Sequence, residues 1–93
     1  MDWATFNQTV AIARVPWFFG SDAERIEASL GSEAVALAEQ MIAFAGGQPD
    51  LWESDLDWVA VQPEMSRRLR GEFPLLSKPA ADRIALAAAY DWK

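Results

Sequence analysis

Cysteine and histidine are both absent from this chain of 93 residues. Without cysteine there are no disulfides, thiolate nucleophiles, zinc–thiolate sites or iron–sulfur clusters. Without histidine the commonest general base and the commonest transition-metal ligand are missing. Ser–His and Cys–His nucleophilic pairs therefore cannot be assembled within one chain. What remains for catalysis is the carboxylates, Lys78, Lys93, Tyr90 and the arginines. From that inventory we expect no enzyme, no cofactor and no metal centre.

Long apolar runs are missing as well. The longest uncharged one, Ile84 to Tyr90, is seven residues, against the roughly 20 that a membrane-spanning helix needs. The opening Met1-Asp2-Trp3-Ala4-Thr5 lacks the basic-then-apolar order of a secretory leader. The expectation is a cytoplasmic protein without a membrane partner. Positive charge is scarce too: eight bases face fourteen acids, for a net charge of −6. The imbalance is concentrated, since residues 1–62 hold two bases and ten acids while residues 63–93 hold six bases and four acids. Most of such a surface repels phosphate, and direct nucleic-acid binding is not expected.

What is present is a globular composition. The hydrophobic fraction of 52% and charged fraction of 24% are those of a folded domain rather than a disordered chain. Ten Trp and Phe residues can bury large apolar areas. At this length one modest core is expected, so the whole of 1–93 reads as a single domain.

The periodicity is helical throughout. Asp2 suits the cap of a first helix reaching about Arg14, with Trp3, Phe6, Val10 and Ala13 on one face. Pro16 ends it, and Trp17-Phe18-Phe19-Gly20 reads as an aromatic connector. Ser21-Asp22-Ala23-Glu24 has the form of a capping box, opening a helix to about Leu30 with Ile26 and Leu30 inward. Gly31 suits a left-handed cap and Ser32 the cap of a third helix through Ala45. The stripe from Ile26 to Phe44 nevertheless stays nearly in phase, so one long bent helix is the alternative. On the third helix Leu37, Met41 and Phe44 form the apolar stripe, with Ala34, Ala38 and Ala45 beside it.

Gly46-Gly47-Gln48-Pro49 is a break. Beyond it a helix over 51–60 would put Leu51, Trp52, Leu56 and Val59 on one face and Asp50, Glu53 and Asp57 on the other. Pro63 fits the first turn of a further helix through Arg70, with Gly71 stopping it. Phe73, Leu75 and Leu76 read as core residues of a connector, and Pro79 opens a final helix to about Tyr90. The fold class expected is all-α, a compact single-domain bundle of five to six short helices with aromatic connectors.

Three groups invite a functional reading. The segment 50–58 packs Asp50, Glu53, Asp55 and Asp57 with Trp52 and Trp58 into nine positions. Its plain reading is a solvated helix face with Asp50 at the helix N-terminus. The sharper reading is a docking face for a basic partner, anchored by whichever tryptophan points outward, since six helical positions leave the two rings about 120° apart. The segment lacks the glycine and distal glutamate of a calcium loop. Second, Arg67, Arg68 and Arg70 form the one basic cluster. Glu64 can pair with Arg67 or Arg68 at i+3 or i+4, leaving the rest as a secondary basic contact. Third, the alanine-rich final helix is either central or covered by another copy. A helix-turn-helix reading around Gly31 fails, because Glu27 occupies the small-residue position and the helix from Ser32 carries Glu33 and Glu39 with no base.

The general form (small, acidic, helical, without catalytic groups) is shared by many bacterial and phage inhibitors and immunity proteins, a likeness of composition with no motif behind it. The function expected is a non-enzymatic, inhibitor-, immunity- or antitoxin-like module occupying a basic surface of another protein, often a nucleic-acid-binding one. Asp50, Trp52, Glu53, Asp55, Asp57 and Trp58 form the expected contact face. The alternative is a structural subunit of a homo-oligomer or phage-type assembly, held through the C-terminal alanine-rich helix.

Overall fold

Helix follows helix along the chain, as the 3.6-residue periodicity predicts. The computed structural model describes residues 2–12 and 21–92, and for 21–23 and 90–92 the backbone alone. Among the described residues there are six helices and no strand: α1 (Trp3–Ala11), α2 (Ser21–Leu30), α3 (Ser32–Gly46), α4 (Pro49–Trp52), α5 (Trp58–Glu72) and α6 (Lys78–Trp92). The all-α bundle expected from the sequence is the fold observed. Ala13, Arg14, Pro16, the Trp17–Gly20 connector and, in the capping box, the side chains of Ser21, Asp22 and Ala23 lie outside the described residues.

Local chemistry sets most of the helix ends. Asp2 caps α1, its carboxylate accepting from Thr5 N at 3.1 Å and from Thr5 Oγ1 at 2.6 Å. Phe6 and Val10, four apart, are the buried positions of that helix. Between α2 and α3 the chain does break. Gly31 has φ 91° and ψ 171°, a region that is essentially glycine-only. Its N–H closes α2 on Glu27 O and its carbonyl accepts from Ala34 N, opening α3. Gly31 is thus itself the cap, and Ser32 is the first helical residue rather than the cap expected. Ser77 caps α6 through its hydroxyl and carbonyl, with Pro79 one position inside the helix.

Helix α6 is central, packing against α1, α3 and α5. Among the described residues, eight of the eighteen buried apolar ones are alanine, and all eight lie on α3 (Ala34, Ala38, Ala45) or α6 (Ala80, Ala81, Ala85, Ala87, Ala88). Two alanine faces let helix axes approach closely, and the separation of packed helices is set by the side chains at the contact. This reverses the expected order on α3. The alanines and Met41 are the fully buried residues, and Leu37 and Phe44 flank the core half-buried. Larger side chains fill the periphery: Phe6 on α1, Ile26 on α2, Val61, Met65 and Leu69 on α5. The alanines of α6 are enclosed within this single chain, the central placement that an all-round apolar helix implies.

Two other expectations are corrected. Helix α5 starts at Trp58, five residues ahead of Pro63, and runs on through Gly71 to Glu72. Pro63 therefore sits inside a helix, where it removes the donor for the Val59 carbonyl. Val59 is exposed, so water can take that role. In the 73–77 connector, Leu76 is buried and Phe73 stands edge-on to Phe44 at 5.9 Å, but Leu75 is 61% exposed. Asn7 holds this connector, donating to Leu75 O and accepting from Ser77 N, both at 3.0 Å. The strap fixes backbone, which explains why the Leu75 side chain is free to face outward.

Candidate functional site

The segment 50–58 is not one helix. Pro49 begins α4, and Glu53 N and Ser54 N close its single turn on Pro49 O and Leu51 O. Ser54 Oγ then donates to Leu51 O at 2.6 Å and accepts from Leu56 N at 3.3 Å. Asp57 turns to an extended conformation (φ −80°, ψ 172°) and accepts from Ala60 N at 3.2 Å, capping α5. Serine and aspartate offer the backbone short hydrogen bonds that compete with a helix, and here two of them win within four positions.

The break scatters the acidic face expected of a 51–60 helix. Gln48, not Asp50, occupies the cap position of α4. Asp50 is engaged across the fold, accepting from Arg68 Nη1 at 3.0 Å and Nη2 at 2.8 Å. Asp57 is spent on its own helix. Glu53 and Asp55 are exposed and have no hydrogen-bond or ion-pair partner among the described residues. Of the four carboxylates singled out from the sequence, these two face water with their charge uncompensated.

The same break brings the tryptophans together instead of 120° apart. Trp52 and Trp58 stack with centroids 6.3 Å apart and ring planes within 10°. Trp52 is the inner ring, half-buried, its Nε1 donating to Ala45 O at 2.7 Å. Gln48 Nε2 donates to Phe44 O at 3.1 Å beside it, so two carbonyls at the end of α3 are satisfied by side chains. Trp58 is the outer ring, 37% exposed, and within two positions of it Leu56 is 55% and Val59 80% exposed. Leu51 alone of the predicted apolar face is fully inside.

The arginine cluster is largely consumed. Glu64 accepts from Arg67 Nε at 2.8 Å, Arg67 Nη2 at 2.6 Å and Arg68 Nε at 2.9 Å. Arg68 also donates to Gln48 Oε1 at 2.9 Å, so it clamps α4 onto α5 through three side chains. Hydrogen bonds from Arg67, then Arg68, hold the Glu64 carboxyl at about 2, well below its ordinary value. The Arg68 hydrogen bond likewise lowers Asp50. Of the three arginines only Arg70 has no partner among the described residues.

Sequence reasoning missed a groove beside Trp58. It lies between α5 and α6, has a volume of about 280 Å³ and is lined by Trp58, Gln62, Asp82, Arg83 and Leu86. Asp82 Oδ1 accepts from Gln62 Nε2 at 2.5 Å and Oδ2 from Lys78 Nζ at 3.0 Å. Burial pushes the Asp82 carboxyl up, but its neighbours outweigh that and leave it below the ordinary aspartate value. Ser66 is among those neighbours, near enough to favour the ionised carboxylate. Its own buried hydroxyl nonetheless meets no partner at full hydrogen-bonding geometry. The Lys78–Asp82 spacing of four was a readable signal. The meeting of Gln62 with Asp82 across two helices was not. Among the described residues no cluster of three or more potential metal ligands exists, and no helix is long and apolar enough to cross a membrane. No family model matches the chain, and no significant similarity to curated proteins or solved structures is found.

Proposed function

We propose that this chain is a non-enzymatic protein-binding module that docks the 53–59 segment, the α4–α5 connection and the first residues of α5, onto a basic surface of another protein. The observation that carries the reading is the juxtaposition of exposed Leu56, Trp58 and Val59 with Glu53 and Asp55, whose charges the fold leaves uncompensated. The carboxylates supply long-range attraction and a faster encounter; the apolar side chains supply the area that a complex removes from water. Trp58 is braced against Trp52, so little freedom remains to be lost when a partner covers it. By occupying a surface that otherwise binds nucleic acid, with carboxylates in place of phosphates, such a module would act as an inhibitor or antitoxin does.

Within this reading the four acids of 50–57 are not equivalent. The immobilised full-length chain is used to capture partners at low salt, and association rates are then measured for the purified partner. Glu53→Gln with Asp55→Asn should slow association by roughly tenfold and flatten its salt dependence. Asp50→Asn should leave the rate nearly unchanged, because Arg68 already neutralises that carboxylate. A partner whose rate ignores both salt and the Glu53/Asp55 pair overturns the assignment.

A further inference from the structure

Arg83 is a half-buried cation in the wall of the α5–α6 groove, and among the described residues it has neither an ion-pair nor a hydrogen-bond partner. The local charge is not balanced by Asp82, whose two oxygens already accept from Lys78 and Gln62. Because a carboxylate only accepts, Gln62 must present its amide nitrogen to Asp82. Its Oε1 is thereby turned away from Asp82, and no donor among the described residues bonds to it. The groove thus offers a planar multi-donor cation, a fixed amide acceptor, and apolar area on Trp58 and Leu86, in a volume suited to one large side chain with its backbone.

We propose that this groove binds the C-terminal carboxylate of an apolar peptide end. Arg83 takes the carboxylate, Gln62 Oε1 accepts the last peptide N–H, and Trp58 with Leu86 covers the terminal side chain. A free carboxylate next to a peptide N–H and an apolar side chain is what distinguishes a chain terminus from an internal glutamate or an inorganic anion. The groove shares Trp58 with the acidic loop but its chemistry is separate, and it stands whether or not that loop meets a basic partner.

The test uses the full chain and the probe N-acetylphenylalanine, with N-acetylphenylalaninamide and inorganic phosphate as comparisons at constant ionic strength. The readout is the nitrogen–proton NMR signals of the Trp58 indole, assigned by Trp58→Phe, and of Arg83 Nε. N-acetylphenylalanine should shift both saturably in roughly the millimolar range expected of so small a ligand. Arg83→Gln should weaken it by roughly tenfold, and Arg83→Lys, which keeps the charge and loses the fork, by less. Retained binding in the Glu53→Gln/Asp55→Asn variant separates this site from the acidic loop. Equal shifts by the amide, phosphate binding as tight as the acid, unchanged affinity in Arg83→Gln, or no shift at about 20 mM probe each overturn the proposal.

Discussion

Where α3 meets α6, most of the buried residues are alanine; where α4 meets α5, two of the largest side chains in the chain stand half outside. The two regions solve different problems. Alanine loses no side-chain entropy on burial and lets backbones come close, so the central contact gains from dispersion between backbones more than from area per side chain. At the α4–α5 corner the fold instead spends hydrogen bonds on position. Trp52 is tied to Ala45 O, Arg68 clamps Asp50 and Glu64, and Asp57 caps its own helix. The apolar side chains held there, Leu56, Trp58 and Val59, keep much of their area in water. Folding leaves that surface unused, which is why the proposed contact is placed there.

The comparison breaks most sharply at the alanine contact. Ala38 on α3 is fully buried, and a tightly packed site cannot absorb three extra carbons without moving a helix. Ala38→Leu should lose about 2–3 kcal/mol in urea unfolding followed by circular dichroism. A neutral result would mean that the buried face of α3 at Ala38 has space beside it rather than close contact.

Much of this was legible in the chain. Asp2 is a capping residue ahead of an i, i+4 apolar pair, and it caps. Gly31 signals a conformation open to glycine, and it adopts one. An alanine-rich helix with apolar residues on all sides belongs in the middle, and α6 is there. The order on α3 was less accessible. Hydrophobicity ranks Leu37 and Phe44 above the alanines, but the face turned inward is chosen by the partner helix, which is itself alanine-rich. The segment 50–58 was misread for a related reason. A 3.6-residue pattern across Ser54 and Asp57 looks continuous, although both residues can end a helix with their own side chains. The Asp50–Arg68 pair spans eighteen positions, and nothing local announces it.

Asp57 tests the corner directly. Asp57→Ala removes the α5 cap and should cost about 1 kcal/mol. It also restores helix propensity across the break, so the stacked pair of Trp52 and Trp58 should loosen. The near-ultraviolet circular dichroism of the coupled indoles reports that loosening. An unchanged indole signal would show that Trp52 and its bond to Ala45, not the cap, hold the stack.

Acid should weaken the same corner. The Glu64 carboxyl is held at about 2 by Arg67 and Arg68, whereas an unfolded glutamate titrates near about 4.3. Below that unfolded value the unfolded chain binds the proton that the folded chain refuses. Stability from this group is therefore complete above about 4.3 and is lost as pH falls toward 2. Asp2, Asp50 and Asp82 are lowered too and carry the same sign. Glu64→Gln should make the thermal midpoint less steep between about pH 4.5 and 2. Because the carboxylate is solvent-accessible, the change should amount to a few degrees at most. An identical slope in the variant would assign the acid sensitivity to the other carboxylates.

The smallest effect on folding is expected where the effect on binding is expected to be large. Val59 is 80% and Leu56 55% exposed, so neither contributes much buried area to the monomer. Val59→Ser with Leu56→Ser should change unfolding stability by no more than about 0.5 kcal/mol, within the ordinary range for surface positions. Both substitutions lower the exposed apolar area, so solubility should hold or rise. The same pair should strongly weaken capture of a partner that reads the 53–59 segment, since most of the desolvated area is then gone while Trp58, Glu53 and Asp55 remain. A stability loss above about 1 kcal/mol would mean that these side chains pack in solution against the α4–α5 corner. In that case they belong to the core's work, and the contrast between a region built for folding and one left for binding would not hold.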